Sequence, residues 1–271
     1  MPELPEVEVT CRGISAYLTN RHITQVIIRN ASLRWPIPST LTTLLPDQCI
    51  TTVTRRAKYL LLHCDQGTLI IHLGMSGSLR ILPTTTPSLL HDHFELWLDS
   101  GKMLRYRDPR RFGAILWWDG AIQQHPLFQR LGPEPLSDAF NTRYLHTKIH
   151  DRRVSIKEAL MNQHIVVGIG NIYANEALFH AGISPLSAAN SLSQTRCAAL
   201  VKAVKTTLQQ AIEAGGSSLR DFTDCNGRAG CFQQQYWVYG RHDQPCRQCG
   251  ALINKIRQGQ RSTFYCLQCQ Q

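Results

Sequence analysis

Leu131-Gly132-Pro133-Glu134-Pro135 divides the chain. Two prolines and a glycine within five residues cannot continue a helix or a central strand, so the stretch reads as a linker. The residue pattern differs on its two sides. Before it, short β-branched or aromatic runs recur at 23–28, 50–54, 59–63, 68–73, 78–82, 94–98, 103–107 and 113–118. Turn residues such as Asp65-Gln66-Gly67 and Asp99-Ser100-Gly101 separate them. Short strands at regular intervals predict an antiparallel sandwich or barrel. One helix precedes them, over 5–19, with Val7, Cys11, Ile14 and Leu18 on a single face. After the linker the pattern is helical, at 141–150, 154–163, 171–181 and 193–214, and Gly215-Gly216 ends the last. A polar stretch (221–230) and a cysteine-rich tail follow. The fold class is therefore α+β in two domains, divided as 1–132, 133–220 and a C-terminal 221–271.

The chain has 271 residues, 43% of them hydrophobic, enough for two cores of ordinary size. No apolar run reaches the roughly 18 residues of a membrane helix. The first residues lack the basic flank and apolar block of a signal peptide. A cytosolic protein with no membrane partner is expected. The formal charge is +10 and the isoelectric point about 9.3, which points to a polyanion, most often nucleic acid.

The chain starts Met1-Pro2-Glu3-Leu4-Pro5-Glu6-Val7. Met1 precedes a small residue, and its removal would expose Pro2 as a secondary amine. Such an amine beside the Glu3 carboxyl can attack a sugar or carbonyl carbon and form a Schiff base. A second reading is open: Pro5 suits the first helical turn, and Glu6 and Glu8 suit its positive end.

Four of the ten cysteines follow the pattern C-x2-C-x16-C-x2-C: Cys246, Cys249, Cys266 and Cys269. Two such knuckles fit a tetrahedral zinc site on a β-hairpin. Four thiolates leave no place for water, so one structural Zn2+ is expected. Lys255, Arg257 and Arg261 lie between the knuckles with no acid among them, which suits phosphates. The other six cysteines show no ligand spacing and read mostly as small buried hydrophobes.

Lys102, Arg105, Arg107, Arg110 and Arg111 surround one acid, Asp108. With a two-residue period, Arg105 and Arg107 would present charge on one face of a strand. Arg110-Arg111-Phe112-Gly113 sets guanidinium groups and an aromatic ring at a loop tip, a combination suited to entering a DNA duplex. His72-Leu73-Gly74-Met75-Ser76-Gly77 offers a second apolar tip, Met75. Taken singly, Met75 and Phe112 read as core residues before they read as wedges. Lys58 follows Arg55-Arg56-Ala57, and Gly168-Ile169-Gly170 leads into a helix start that can receive a phosphate.

Taken together, these stretches resemble the bacterial formamidopyrimidine-DNA glycosylase family (Fpg). The matching segments are 2–8, 55–60, 72–77, 108–113, 167–174, Val-Tyr-Gly-Arg at 238–241, and the four-cysteine finger. They run the whole length of the chain, in family order. Leucine at position 4 resembles the Fpg branch rather than the related Nei branch, which has glycine there. The resemblance implies a β-sandwich behind one helix, then a helix–two-turn–helix (H2TH) domain with a zinc finger. It implies base-excision repair of double-stranded DNA by a monomer associated with the nucleoid. Oxidised purines such as 8-oxoguanine would be excised and the abasic strand cut by β- and δ-elimination.

The same resemblance implies roles. Pro2 would be the nucleophile, Glu3 the proton shuttle to the sugar ring oxygen, and Lys58 a group for proton transfer and phosphate contact. Arg261 matches a residue assigned proton donation in δ-elimination, although a guanidinium with a pKa above about 12 is a better phosphate clamp than acid. Met75, Arg110 and Phe112 would fill the space vacated by an extruded base. His72, His91, Arg153 and Asn171 would touch the DNA backbone, with Lys157 on a helix near the lesion pocket. Residues 224–232 match a lesion-capping loop, here with Cys225 and Cys231, which could form a disulfide under oxidative stress if they approach. Two other readings stand beside this one, a Nei-like enzyme for oxidised pyrimidines and a non-catalytic zinc-finger DNA-binding protein.

Overall fold

The computed structural model describes residues 1–217, 225 and 230–271. The expected features at 218–224 and 226–229, most of the capping loop, lie outside the described residues. Two compact units are formed. Met1–Gln129 with Ala214–Cys231 make the first, and Arg130–Glu213 with Phe232–Gln271 make the second.

The first unit begins with α1 (Leu4–Leu18). Its predicted face, Val7, Cys11, Ile14 and Leu18, is buried in the core. Helix α2 (Leu41–Leu44) is a single turn. Eight antiparallel strands follow the predicted runs: β1 (Arg21–Ile28), β2 (Cys49–Arg56), β3 (Tyr59–Cys64), β4 (Gly67–His72), β5 (Ser78–Pro83), β6 (Asp92–Leu98), β7 (Lys102–Arg107) and β8 (Ala114–Trp118). Their order is β5-β7-β6-β1-β2-β3-β4-β8. Strand β1 pairs with β2 through only two residue pairs, whereas β2 and β3 share six. The sheet therefore turns over at β1 into the two layers of a sandwich, and the core contains Leu60, Leu62, Leu69 and Ile71 from one layer and Leu79, Phe94, Leu96 and Leu104 from the other.

Arg105 does not present charge to solvent as expected. It is buried, with its guanidinium 2.8 Å from Glu95 and 3.4 Å from Asp92. It also donates to the carbonyls of Pro87 (2.9 Å) and Thr86 (2.7 Å). A buried cation needs such partners, and both acids come from β6, the neighbour of β7 in the sheet.

The second unit contains α3 (Thr142–Ile149), α4 (Ile156–Leu160), α5 (Asn171–His180) and α6 (Gln194–Glu213), then the hairpin of β9 (Asn254–Gln258) and β10 (Arg261–Tyr265). The Asn141 side chain caps α3 by accepting from the Tyr144 N–H at 2.9 Å. Helix α4 is shorter than its predicted run and starts at a Ser155/Glu158 capping box. The C-terminal segment is not a separate body. Phe179 of α5 shares a core cluster with Val238, Cys246, Ile253, Phe264 and Cys266. Buried Glu176 accepts N–H bonds from Trp237 (2.9 Å), Val238 (3.0 Å) and Tyr239 (2.8 Å). Burial pushes its carboxyl upward while those three bonds pull it down, and burial prevails. Among the described residues, no helix is long and apolar enough to cross a membrane.

Candidate active site

In the first unit the N-terminus leads directly into α1. Met1 is exposed, but Pro2, Glu3 and Glu6 are buried. Glu6 is central to this geometry. Its Oε2 accepts from the Glu3 N–H at 2.8 Å and its Oε1 accepts from the Ser217 N–H at 2.8 Å. The Met1 amine is shifted below its ordinary pKa, chiefly by burial. Glu3 and Glu6 oppose that shift, while the charges of Lys58 and Arg110 add to it. All four charges therefore act on the Met1 amine. Lys58 is buried at the β2–β3 turn, after Ala57 with φ +54°. Arg55, beside it, is tied to Glu8 of α1 at 2.8 Å, so the turn is fixed to the helix.

The two apolar tips come together. Met75 is 39% exposed and Phe112 48%, so neither is a core residue. The Arg110 guanidinium lies 5.0 Å from the centre of the Phe112 ring. Gly74 has φ +62°, and a side chain there would strike the backbone of Phe112 and Gly113, so the tips touch through main chain. Asp108, fully buried, joins them. Its Oδ1 accepts from the Ser76 hydroxyl at 2.6 Å, and its Oδ2 accepts from the Tyr106 hydroxyl at 3.0 Å and the Gly113 N–H at 2.8 Å. The Arg110 N–H donates to Ser76 Oγ at 3.1 Å. Burial and the Asp108 carboxylate raise the Tyr106 pKa far above its ordinary value, so Tyr106 stays a donor. The sequence signal was available, since Asp108 is the one acid among five cations, but nothing marked Ser76 or Tyr106 as its partners.

His72, at the end of β4, has its pKa lowered to about 4 by burial first, then by Lys58 and Arg34. The ring is neutral near pH 7, and its Nδ1 accepts from the Gly74 N–H at 3.0 Å. His91 has φ +74° and is half-buried. Its carbonyl accepts from the Asp108 N–H at 3.1 Å.

The second unit holds the remaining expected residues. Arg261 is exposed at the start of β10 and borders a crevice of about 330 Å³ with Met161, Asn162 and Gln260. Lys157 of α4 borders the same crevice. It is buried, and its Nζ donates to Thr263 Oγ1 at 2.7 Å and the Ser262 carbonyl at 3.2 Å. These bonds hold this side of α4 against β10. Asn171, the first residue of α5, donates to the same Ser262 carbonyl at 2.9 Å, and its Oδ1 is buried without a partner. Arg153 is exposed in the turn before α4.

Cys246, Cys249, Cys266 and Cys269 place all four Sγ atoms within 4.8 Å of one another. A tetrahedron with zinc–sulfur bonds of about 2.3 Å has edges of about 3.8 Å, so the residues fit one structural zinc. Cys225 and Cys231 lie in different surroundings, Cys225 buried and Cys231 exposed.

Known families match in the same order as these features. The formamidopyrimidine-DNA glycosylase N-terminal domain matches residues 1–115, the H2TH domain of the same enzymes matches 131–223, and the zinc finger found in FPG and IleRS matches 243–271. The chain belongs to the formamidopyrimidine-DNA glycosylase family. The Fpg protein of Shewanella pealeana is 54% identical over 271 residues, covering all of both chains. That of Neisseria meningitidis is 52% identical over 274 residues, again with full coverage. Among solved structures, Thermus thermophilus MutM (Fpg) matches with TM-score 0.89 and 36% identity, covering 99% of this chain and 98% of that one. Lactococcus lactis Fpg in complex with DNA containing an abasic site matches with TM-score 0.91 and 32% identity, covering 99% of each chain.

Proposed function

We propose that the protein removes oxidised purines from double-stranded DNA and then cuts the abasic strand, with the nitrogen of Pro2 as nucleophile. The observation that carries this reading is the buried Pro2–Glu3 pair at the start of α1, with the charges of Lys58 and Arg110 acting on the terminus. Relatives named formamidopyrimidine-DNA glycosylase, and the Lactococcus complex with abasic DNA, support it.

Removal of Met1 turns Pro2 from an amide into a secondary amine. Burial of Pro2 disfavours a charged ammonium there, which leaves a lone pair on nitrogen. That lone pair attacks C1′ of the deoxyribose, and the bond to the damaged base breaks with its electrons going to the base. The Pro2 N–H proton passes to the departing base, Glu3 gives a proton to the ring oxygen, the ring opens, and an iminium forms between Pro2 and C1′. This cation draws electrons from C2′, whose proton leaves. The 3′ phosphate departs next, and the 5′ phosphate follows after loss of a C4′ proton. Water then releases Pro2. Lys58 serves proton transfer and phosphate contact, and Arg261 clamps a phosphate. Met75, Arg110 and Phe112 occupy the space left by the extruded base, which costs a few kcal/mol to unstack. His72, His91, Arg153 and Asn171 meet the backbone, and Lys157 positions β10. The finer expectations, a cytoplasmic monomer associated with the nucleoid, belong to this reading.

Borohydride tests it, because it reduces an iminium to a stable amine. Protein lacking Met1 should become covalently attached to a duplex containing 8-oxoguanine, and protein retaining Met1 should not. Full trapping with a blocked N-terminus would overturn the terminal-amine mechanism. The same assay on thymine glycol duplexes separates purine from pyrimidine preference.

A further inference from the structure

Three loops meet at one end of the layer formed by β5, β7 and β6. Ser78, the first residue of β5, pairs with Arg107, the last of β7, and Asp92, the first of β6, pairs with the same Arg107. The loops leading into β5 and β6 and the loop leaving β7 are therefore neighbours. Two of them carry Met75 and Phe112. The third, before β6, carries Leu89 and Leu90, which are 64% and 76% exposed. Among the described residues of the first unit, the exposed large hydrophobics are Met1 and these four. One exposed leucine needs no explanation, but four apolar side chains gathered on adjoining loops mark an interaction surface.

The main chain of the Leu89–Leu90 loop is held fast. Buried Arg105 donates to the Thr86 and Pro87 carbonyls at 2.7 and 2.9 Å. The Leu89 N–H donates to the Asp92 carboxylate at 2.7 Å, and the Asp92 N–H donates to the Leu89 carbonyl at 3.1 Å. Asp108 ties this loop to the next one. Its N–H donates to the His91 carbonyl at 3.1 Å, and its own carbonyl accepts from His93 Nε2 at 2.9 Å. His91 and Arg111, one on each loop, have φ +74° and +57°, a left-handed backbone that costs a non-glycine residue energy and gathers at binding sites. A fastened backbone that turns two leucines to water is organised in advance for a partner. The charges around it select that partner. Arg110 and Arg111 are exposed, whereas Asp92 and Asp108, the acids in and beside these loops, are buried. The surface therefore suits an anion that also has apolar faces. Duplex DNA offers both, in its phosphates and in the C–H faces of its deoxyriboses.

We propose that Leu89 and Leu90 form an apolar grip on the deoxyribose faces of duplex DNA, beside the place where Met75, Arg110 and Phe112 enter the stack. The inference rests on the DNA-binding reading above. The grip is independent of base sequence, because every nucleotide carries the same sugar. It is also independent of salt, because an apolar contact releases no counterions.

Affinity of the full chain for a duplex containing one tetrahydrofuran residue, which has no base to release, provides the test. Leu89→Ser combined with Leu90→Ser should weaken binding by about tenfold at every salt concentration. The slope of log affinity against log salt should stay that of the unaltered chain. Leu89→Met combined with Leu90→Met keeps the apolar area and should bind within about twofold of the unaltered chain. Unchanged affinity in the serine variant, a loss confined to low salt, or an equal loss in the methionine variant would overturn the grip. So would sedimentation of the unaltered chain as a dimer that the serine variant dissociates, which would assign the leucines to a second copy. Failure of the unaltered chain to bind the duplex would instead overturn the DNA-binding reading, and the grip with it.

Discussion

His72 shows how one side chain links burial to acid sensitivity. Its pKa of about 4 in the folded chain lies below the ordinary 6.5. Folding therefore favours the neutral ring, a contribution fully present above pH 6.5 and lost as pH falls toward 4. From this residue alone, unfolding free energy should drop by about 2 kcal/mol between pH 7 and pH 5. Protonation at Nδ1 also removes the acceptor for the Gly74 N–H, next to Met75. Urea unfolding at both pH values, for the unaltered chain and His72→Gln, checks this. The variant should show the smaller drop, and equal drops would remove His72 as the cause. Lys157 is the opposite lesson. The resemblance set it on a helix near the lesion pocket, and its ammonium is bonded within its own unit. No sequence spacing could reveal that, because its partners lie about a hundred residues away.

At the scale of elements, Asp108 holds the two apolar tips as one object. Asp108→Ala would leave the Ser76 hydroxyl, the Tyr106 hydroxyl and the Gly113 N–H without their acceptor. A loss of about 3 kcal/mol is expected, measured by chemical denaturation. Arg110→Ala, at an exposed position, should change stability by less than about 0.5 kcal/mol. Similar losses in both variants would deny Asp108 this joining role. The elements themselves were legible. The 3.6-residue period identified the buried face of α1, and β-branched runs between turns marked all eight strands of the first unit. Cysteine spacing alone revealed β9 and β10, whose apolar content is low. What pattern could not reveal was pairing between elements. Arg105 meets Glu95 and Asp92 only once β6 and β7 are side by side. Of the candidate site, the zinc cysteines were readable because their spacing is local. Glu6 as a bridge was not, because its second partner is Ser217.

For the molecule as a whole, the charge of +10 makes affinity for DNA a function of salt. If Arg261 clamps one phosphate, Arg261→Ala should weaken binding and reduce the slope of log affinity against log salt by about one unit. Filter-binding titrations across a salt series would show it. Unchanged affinity with selective loss of the second elimination would instead assign Arg261 to proton donation. The route of the chain adds a consequence for biosynthesis. The first unit takes Met1–Gln129 and then Ala214–Cys231, with Arg130–Glu213 belonging elsewhere. A ribosome making about 5–20 residues per second needs about 5–20 s to travel from the first portion to the end of the second. Throughout that interval the nascent chain has Glu6 without Ser217. The helix bearing the amine thus acquires its last support late in translation, and the order of synthesis itself delays completion of the reactive end.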